Sequence, residues 1–370
     1  MKIPLCKPYT GEEELAKVRS VIESGWLAHG PVNQELEKQF ADYIGVKHAV
    51  SFNSCTSALH LALEAQDIKG EVILPSFTFV ASANAVVRAG ATPVFVDIDY
   101  DTCNINPEKI REKITDRTEA IMPVHYAGQP CNMKEIVEIA DDKGLEIIED
   151  SAETLGGTFE NKKTGSFGTG CFSFYPTKNI TSGEGGMMTT NDDDAAKKAK
   201  TLKAHGIDSS TFEREKKEKP WLRSATYAGY NFRMCDVLAA IGLVQLEKVE
   251  EMNDLRRKHA AYLNKNLNID GVDLPIESKD CKHVYQMYTI KIKDADRTEF
   301  IKKLREQGIG ASVHFDPPVH LQPYYKDAAK GDLSVTEKVA SKIVTLPMYP
   351  GLTNEELDHI INSVRDALKN

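Results

Sequence analysis

The sequence predicts an α/β protein in which a large domain with a mostly parallel central sheet precedes a smaller α+β domain. From about residue 46 to 190, short apolar runs alternate with helical patterns, the order typical of a βαβα chain. The runs are apolar throughout, as expected of parallel strands that are buried on both faces. The length of 370 residues fits about two domains. We place them at residues 1–250 and 251–370, with an N-terminal segment that can pack on the second.

The elements of the large domain follow one another with short connections. Asn132–Lys143 carries the clearest helix signals, because Asn132 can cap it, Glu135 completes a capping box and Gly144 follows its last residue. The predicted strands are His48–Phe52, Glu71–Leu74, Pro93–Asp97, Ala120–Val124 and Leu145–Glu149, and the predicted helices are Ser54–Gln66, Thr78–Ala89, Pro107–Ile114, Asn132–Lys143 and Asp192–Ala204.

Beyond residue 204 the alternation ends. The mixed-charge run Glu213–Lys219 is interpreted as a solvated loop because opposite signs alternate along it, and a patch for a partner is the alternative. Cys235–Asn264 is predicted to form one long helix, since its apolar residues recur partly on one face. The smaller domain is completed by a strand at Tyr285–Ile292 and by helices at Asp296–Gln307 and Glu356–Leu368.

Composition narrows the class of protein. The 46 basic and 55 acidic residues give a formal charge of −9, which disfavours a binding face for nucleic acid. The most apolar stretch, Val72–Val87, is interrupted by polar residues and a proline, so it does not predict a membrane span. Met1–Pro4 has no apolar signal-peptide core, and seven cysteines without a CxxC pair fit reduced thiols. We therefore expect a cytoplasmic protein that binds neither nucleic acid nor membrane.

Ligand sites of open α/β sheets lie at the carboxyl ends of the strands, so the residues after each predicted strand are the candidates. Asn53–Ser57 follows the first strand and opens a helix, where free N–H groups and hydroxyls suit a phosphate. Simple capping of the helix is the alternative. Phe77 and Phe79 follow the second strand, and they can either place a ring over a planar ligand or pack in the core.

Two charged residues follow later strands. Asp150 ends an apolar strand and needs a cationic partner there, either in a salt bridge or as a protonated ring nitrogen. Lys178 lies in a turn before a glycine-rich segment, where a lysine is either a surface residue or a Schiff-base former. Ser173, upstream of it, can add a hydroxyl to a phosphate site. A phosphate seat, an aromatic ring, a carboxylate and a lysine are together what pyridoxal phosphate requires.

Five ordered motifs, covering nearly the whole chain, resemble those of the DegT/DnrJ/EryC1/StrS sugar aminotransferases. The resemblance implies the fold of the fold-type I pyridoxal phosphate-dependent aminotransferases, and a homodimer with its active sites at the subunit interface. The motifs are Asn53–Leu63, Pro75–Ala81, Glu149–Glu153, Phe172–Lys178 with Thr181–Gly186, and Gly229–Asp236.

The resemblance also implies roles for individual residues of these motifs. Lys178 would be the Schiff-base lysine, Asp150 the partner of the pyridine nitrogen, and Phe79 the side chain that stacks on the ring. Phosphate contacts are implied for Thr56, Ser57 and Ser173, and for Asn231 towards the phosphate of the neighbouring subunit.

Two positions depart from the common pattern of the family. Many relatives have glycine where this chain has Cys55, whose side chain can crowd the phosphate turn. Glu153 stands near the cofactor's ring oxygen at a position that is often Gln or His, although perosamine-synthase-like members carry Glu. A carboxylate beside that oxygen should favour a protonated state.

The implied reaction is a ping-pong transfer of an amino group from L-glutamate to a nucleotide-linked 4-keto-6-deoxy hexose. Val124–Gly128 resembles the segment of members that aminate sugar C4, and amination at C3 is the alternative. His314 and the segment His320–Tyr324 resemble the substrate side of the family, with Tyr324 as a candidate contact; a structural role for His314 is the alternative. Polysaccharide, glycan and antibiotic-sugar biosynthesis all fit the product.

Rival functions are separated by single features. Sugar dehydratases on this fold replace the Schiff-base lysine with histidine, whereas this chain has Lys178. A non-catalytic regulator would be free to lose Lys178 or Asp150, and both are present. A metal hydrolase is disfavoured because there is no HExxH motif. A nucleotide-cofactor dehydrogenase is disfavoured because the glycine-rich Gly165–Gly170 precedes a strand and does not follow one.

Overall fold

The chain is organised around a large β-sheet, as seen in a computed structural model that describes residues 1–208, 212, 218–219, 221–328 and 331–369. The mixed-charge run Glu213–Lys219 lies outside the described residues except for its last two positions. The strands of the described part are β1 (His48–Phe52), β2 (Glu71–Pro75), β3 (Thr92–Val96), β4 (Thr118–Ile121), β5 (Glu146–Asp150), β6 (Thr158–Phe159), β7 (Lys162–Lys163), β8 (Thr169–Ser173), β9 (Gly186–Thr190), β10 (Val272–Asp273), β11 (Cys281–Lys282), β12 (Tyr288–Ile292) and β13 (Ile343–Leu346).

The central sheet has seven strands in the order β1-β9-β8-β5-β4-β2-β3. Strand β9 runs antiparallel to β1 and β8, whereas the pairs from β8 to β3 are all parallel. The predicted α/β class and mostly parallel sheet are therefore confirmed. Six of the seven strands run in one direction, so their carboxyl ends meet at the same edge of the sheet.

Both faces of this sheet are buried, which explains why its strands are apolar throughout. In β2, the side chains of Val72 and Leu74 pack with α-helical residues such as Leu59 on one face. Ile73, which lies between them, packs with Ile136 and its neighbours on the other face. Successive side chains of a strand point to opposite faces, so a strand covered on both sides shows no polar alternation.

The helices of the described residues agree closely with the predicted ones in the first half of the chain. Asn132 caps its helix by accepting from Glu135 N at 3.5 Å, and Gly144 ends it in the left-handed region (φ 63°). None of the described helices is both long and apolar enough to cross a membrane. In chain order they are α1 (Glu12–Ser24), α2 (Pro31–Ile44), α3 (Cys55–Ala65), α4 (Val80–Arg88), α5 (Pro107–Lys113), α6 (Met133–Lys143), α7 (Asp193–Leu202), α8 (Asp236–Glu247), α9 (Val249–Asn266), α10 (Arg297–Glu306), α11 (Ser334–Lys342) and α12 (Asn354–Leu368).

The prediction of one long helix over Cys235–Asn264 is wrong, because α8 and α9 are separated at Lys248 (φ −93°, ψ −3°). The side chain of Lys248 donates to Glu14 of α1 at 2.8 Å. Val249 and Met252, at the start of α9, still pack in the same core as Leu243 of α8, and Leu263, further along α9, packs with the C-terminal strands. Lys248 is a good helix former, so local sequence carries no signal of the break.

The C-terminal part of the chain has its own core around the three-stranded sheet β10-β12-β13. Ile3, near the N-terminus, is fully buried in this core and pairs with Ile309 in a parallel bridge. Strand β12 begins three residues later than predicted, because Tyr285 is in the left-handed region (φ 44°). The domain boundary at residue 250 stays a prediction.

Candidate active site

The carboxyl ends of the parallel strands border a cavity of about 400 Å³. We call the side of the cavity at these strand ends the strand-end wall; it is formed from residues 54–56, 59, 78–79, 81–82, 124, 150, 152–153, 173, 175, 177–178 and 184–185. The facing side, which we call the opposite wall, is formed from residues 5–6, 286–287, 314–315, 345–346 and 348. The site therefore joins the central sheet to the N-terminal segment and the C-terminal part.

Helix α3 begins at the cavity and offers a site for an anion. Ser54 caps the helix by accepting from Ser57 N at 3.1 Å, which leaves the amides of Cys55 and Thr56 without an acceptor among the described residues. Thr56 lines the cavity, whereas the hydroxyl of Ser57 donates to Asn53 Oδ1 at 2.8 Å, away from the wall. Free amides at the positive end of a helix favour a bound phosphate.

The start of α3 is packed closely against the start of β9. A Cβ atom at Gly186 would lie 2.5 Å from the nitrogen of Cys55, so only glycine allows this approach. The Cys55 side chain is buried in the cavity wall. Burial raises the pKa of its thiol well above the usual range, so the side chain adds bulk but no charge near the amides.

Asp150 ends β5 and presents a buried carboxylate to the cavity. Its Oδ2 atom accepts from Ser82 Oγ at 2.7 Å and its Oδ1 atom accepts from Ala152 N at 3.2 Å. Burial outweighs these bonds and raises the pKa of Asp150 above its ordinary value. Because no described cation forms an ion pair with it, the carboxylate is set to interact with a cationic group of a ligand.

Lys178 extends into the same cavity and forms an ion pair with Glu153. The Nζ atom lies 3.0 Å from Glu153 Oε1, and the lysine side chain is only 18% exposed. The other carboxylate oxygen, Oε2, accepts from the amide of Ala127 at 2.8 Å. Ala127 adopts the left-handed region (φ 55°), which costs a non-glycine residue about 1–2 kcal/mol. The strain is concentrated at the amide that orients Glu153.

The remaining predicted residues of the strand-end wall complete its shape. Phe79, the residue before α4, is 62% exposed and stands at the cavity with its ring centroid 6.3 Å from that of Phe315. Ser173, at the end of β8, also lines the cavity, and its Oγ accepts from Tyr175 N at 3.4 Å. An exposed aromatic ring beside an anion site and a carboxylate is available to cover a planar ligand.

The two predicted substrate residues have different positions. His314 lines the cavity from the opposite wall, and its Nδ1 atom lies 2.8 Å from Thr345 Oγ1. Burial lowers the pKa of His314, so the neutral ring predominates near neutral pH. Tyr324, by contrast, is 75% exposed and lies outside the cavity wall.

Two further segments lie away from this cavity. Asn231 is exposed and pairs with Ala204 in an isolated bridge, so it does not reach the cavity of its own chain. In the segment Val124–Gly128, Val124 lines the cavity, but His125 is fully buried with its Nε2 atom 3.1 Å from Glu149.

Several residues of the site were not found from the sequence. Ser82, in the first turn of α4, orients Asp150 through a hydrogen bond. It lies four positions after Thr78, a spacing that brings the two hydroxyls to the same side of the chain as the helix begins. Gln286, Met287 and Thr345 belong to the opposite wall, which forms only when the C-terminal part packs on the sheet; no local pattern marks them. No group of metal-ligating side chains occurs among the residues that the structure describes.

Comparisons with known proteins identify the family of this chain. The DegT/DnrJ/EryC1/StrS aminotransferase family model matches residues 8–365. The spore coat polysaccharide biosynthesis protein SpsC of Bacillus subtilis (strain 168) is 38% identical, covering 99% of this chain and 97% of SpsC.

Solved structures of similar proteins share the whole fold. The PMP form of Spr1654 from Streptococcus pneumoniae matches with a TM-score of 0.93 and 27% identity, covering 99% of each chain. The structure of DesI in the presence of its TDP-sugar product matches with a TM-score of 0.90 and 28% identity, covering 100% of this chain and 93% of that one. Because the family model spans almost the whole chain and the fold agrees throughout, this protein belongs to the DegT/DnrJ/EryC1/StrS aminotransferase family.

Proposed function

We propose that this aminotransferase uses pyridoxal phosphate to move an amino group from L-glutamate to a nucleotide-linked keto sugar, a 4-keto-6-deoxy hexose. The observation that carries the proposal is the convergence of Lys178, Glu153 and Asp150 on one cavity at the ends of adjacent strands. The family and the PMP form of a relative support pyridoxal phosphate as the cofactor.

The residues of the strand-end wall fit this cofactor by their chemistry. The unused amides of Cys55 and Thr56, with the hydroxyls of Thr56 and Ser173, would hold the phosphate. Phe79 would cover the ring, and the buried carboxylate of Asp150 would pair with the protonated pyridine nitrogen, the cation that this side chain lacks. When bound, pyridoxal phosphate supplies the electron sink for the reaction.

Lys178 and Glu153 would handle the protons of the transfer. Lys178 is the nucleophilic amine of the cavity, and its amine would act in turn as general base and general acid at the carbon of the amino donor. Glu153 holds the Nζ atom of Lys178, while the amide of Ala127 fixes the carboxylate. The ordered ion pair keeps the amine over the cavity when it is not bonded to a ligand.

The sugar would lie against the opposite wall. His314, held through Thr345 and neutral near neutral pH, offers a ring nitrogen to a sugar hydroxyl or a phosphate oxygen. Two relatives, the polysaccharide biosynthesis protein SpsC and DesI with its TDP-sugar product, support a nucleotide-linked sugar. The resemblance of Val124–Gly128 supports amination at C4.

We also propose that the protein is a homodimer and that each active site contains residues of both subunits. Asn231 would reach the phosphate held by the neighbouring subunit, because it is exposed and lies outside the cavity of its own chain. Ala204, its bridge partner, lines a second cavity of about 880 Å³ whose wall includes both cations and carboxylates.

The first test is the absorbance of the purified protein with pyridoxal phosphate, before and after addition of L-glutamate. The proposal predicts a visible band of the bound cofactor that L-glutamate converts to the pyridoxamine form, and no such band in Lys178→Ala. A band that does not respond to L-glutamate would indicate another donor or dehydratase-like chemistry. Absence of any band would contradict the enzyme and favour a regulator.

The shared site has its own test in mixed dimers. Lys178→Ala and Asn231→Ala are each expected to lose most activity as pure proteins. After the two variants are unfolded and refolded together, one site of each mixed dimer contains both native residues, so activity should return. If the mixture stays as inactive as its components, Asn231 does not act across an interface.

A further inference from the structure

The turn that carries Lys178 is held by side chains from distant parts of the chain. Gln286, just before β12, donates from Nε2 to the carbonyl of Thr177 at 2.7 Å. Arg256, on α9, donates from Nη2 to the carbonyls of Lys178 at 3.4 Å and Asn179 at 3.1 Å. Three consecutive carbonyls around the lysine are thus bound by two side chains from the C-terminal part.

Arg256 is an unusual residue to hold a backbone turn, because a cation is costly to bury. The residue is only 5% exposed, and it forms no ion pair with an acidic side chain among the described residues. Its other bond is from Nη1 to Asn253 Oδ1 at 3.2 Å, and this same oxygen accepts from Asn179 Nδ2 at 2.9 Å. Burial lowers its pKa to about 10. A buried cation is costly unless its donors are used, and here two backbone carbonyls of the lysine turn and the side-chain amide oxygen of Asn253 accept from them.

The side-chain amide of Gln286 also has an orientation that lowers the stability of the folded protein. The bond to Thr177 fixes which way the amide points, and it leaves Oε1 buried and without a partner among the described residues. An unpaired buried acceptor is unfavourable, so such groups in a folded protein call for an explanation. Gln286 also lines the cavity that Lys178 enters. We therefore explain the orientation of the Gln286 amide by its hydrogen bond to the lysine turn.

We propose that Arg256 and Gln286 are positioning residues for Lys178, which orient the lysine through its backbone and make its reactivity depend on the C-terminal part of the chain. The role rests on the proposed function of Lys178 as the amine that binds the cofactor. Neither residue bonds to the Nζ atom, and Glu153 is the one side chain in the described part of the chain that does so. The carbonyl bonds set where the backbone stands, and the ion pair then sets where the amine points.

We expect substitution of Gln286 or Arg256 to change the rate of cofactor capture more than it changes the stability of the folded protein. A displacement of a reacting group by about 1 Å can lower a rate by about 100-fold. We therefore expect Gln286→Met and Arg256→Met to slow the capture of pyridoxal phosphate by Lys178 about 10- to 100-fold. Arg256→Lys should not restore the rate, because one ammonium cannot reproduce the fork that joins two carbonyls and Asn253.

The test is a stopped-flow measurement of the rate at which cofactor-free protein develops the absorbance of bound pyridoxal phosphate, at equal protein concentration. Arg257→Met is the matched control: Arg257 is the next residue of α9, and its ion pair with Glu277 lies outside the lysine turn. It should capture the cofactor at the wild-type rate. Melting curves of each cofactor-free variant show whether it is folded, and Gln286→Met serves if Arg256→Met does not fold.

The outcomes separate this inference from the proposed function. Slow capture in Gln286→Met and Arg256→Lys, with a normal rate in Arg257→Met, supports positioning, whatever the amino donor proves to be. Rates within about twofold of wild type in folded Gln286→Met and Arg256→Lys would overturn it. A wild-type protein that captures the cofactor but ignores L-glutamate would contradict only the proposed donor.

Discussion

The two walls of the cavity differ in kind. The strand-end wall carries the charges: Asp150, Glu153 and Lys178 stand within it, oriented by Ser82 and by backbone amides. The opposite wall presents apolar side chains together with neutral polar groups and a histidine whose pKa is lowered by burial; it includes Leu5, Cys6, Gln286, Met287, His314, Thr345, Leu346 and Met348. Charged groups thus face a largely uncharged surface.

The difference suggests a division of labour. A largely apolar surface opposite the ion pair removes water and strengthens the electrostatic interactions of the charged wall. Gln286 of the opposite wall also donates to the lysine turn. We therefore expect substitutions on the strand-end wall to lower the rate of transfer, whereas substitutions on the opposite wall should change sugar binding or act through Lys178.

Lys178→Ala should have the largest effect. Removal of the amine removes both the attachment of the cofactor and the proton carrier, so we expect amino transfer to fall by at least about 1,000-fold. The rate is measured as keto sugar converted per minute with saturating pyridoxal phosphate. Lys162→Ala, an exposed lysine over the ring of Phe167, is the control and should keep the wild-type rate.

Asp150→Asn should lower the rate by about 100-fold or more, because the amide cannot stabilise a protonated ring nitrogen. The same change should stabilise the cofactor-free protein. Burial raises the pKa of Asp150 in the folded chain, so its contribution to stability is complete below the pKa of the unfolded chain and is lost as pH rises through the folded pKa.

Thermal melting of cofactor-free protein shows whether Asp150→Asn raises or lowers its stability. At about pH 7 the Asp150→Asn variant should melt above wild type, and the difference should shrink as pH falls towards about 4, where the unfolded carboxyl gains its proton. A variant that is both less active and less stable at pH 7 would show that the carboxylate is structural.

Glu153→Gln should have an intermediate effect. The amide keeps an oxygen for the Ala127 amide but removes the negative charge beside Lys178 Nζ. We expect the pH midpoint of the absorbance of bound pyridoxal phosphate to fall, since a nearby carboxylate favours the protonated form. An unchanged midpoint in a titration of the loaded variant would contradict an effect of the Glu153 charge on the protonation of the bound cofactor.

Thr345→Val, on the opposite wall, should have the smallest effect. It removes the hydroxyl beside His314 Nδ1 at nearly constant volume, and loss of one hydrogen bond corresponds to about a 3- to 10-fold change. We expect this change in the KM for the keto sugar, with kcat nearly constant. Thr289→Val is the control, because Thr289 pairs with Thr345 across the sheet but lies outside the cavity wall. An equal fall in kcat would contradict the division between the walls.

The strand-end wall was accessible to sequence reasoning for a physical reason. Most of its residues lie at or shortly after the carboxyl end of a buried strand, and parallel strands bring such residues together at one edge. Thr56, Phe79, Asp150 and Lys178 could therefore be placed near one another before any distance was known. Ser57 was placed with them but turns into the capping turn of α3, since a one-residue shift in a helix start redirects a hydroxyl.

The opposite wall was less accessible because tertiary packing assembles it. Gln286 and Thr345 lie far from Lys178 in the chain, and their segments resemble ordinary strand ends. The break at Lys248 has no local signal either: neither glycine nor proline marks it, and its side chain makes a tertiary contact with Glu14 of α1. His314 was found only through the resemblance to the family.

The central claim is that Lys178 is the lysine that binds the cofactor. The most direct test is to load the protein with pyridoxal phosphate, reduce it with borohydride, and map the labelled peptide by mass spectrometry. We predict a single label on Lys178. A label on another buried lysine, such as Lys203, which donates to Glu37 at 2.9 Å, would contradict the account, as would a loaded protein that carries no covalent label.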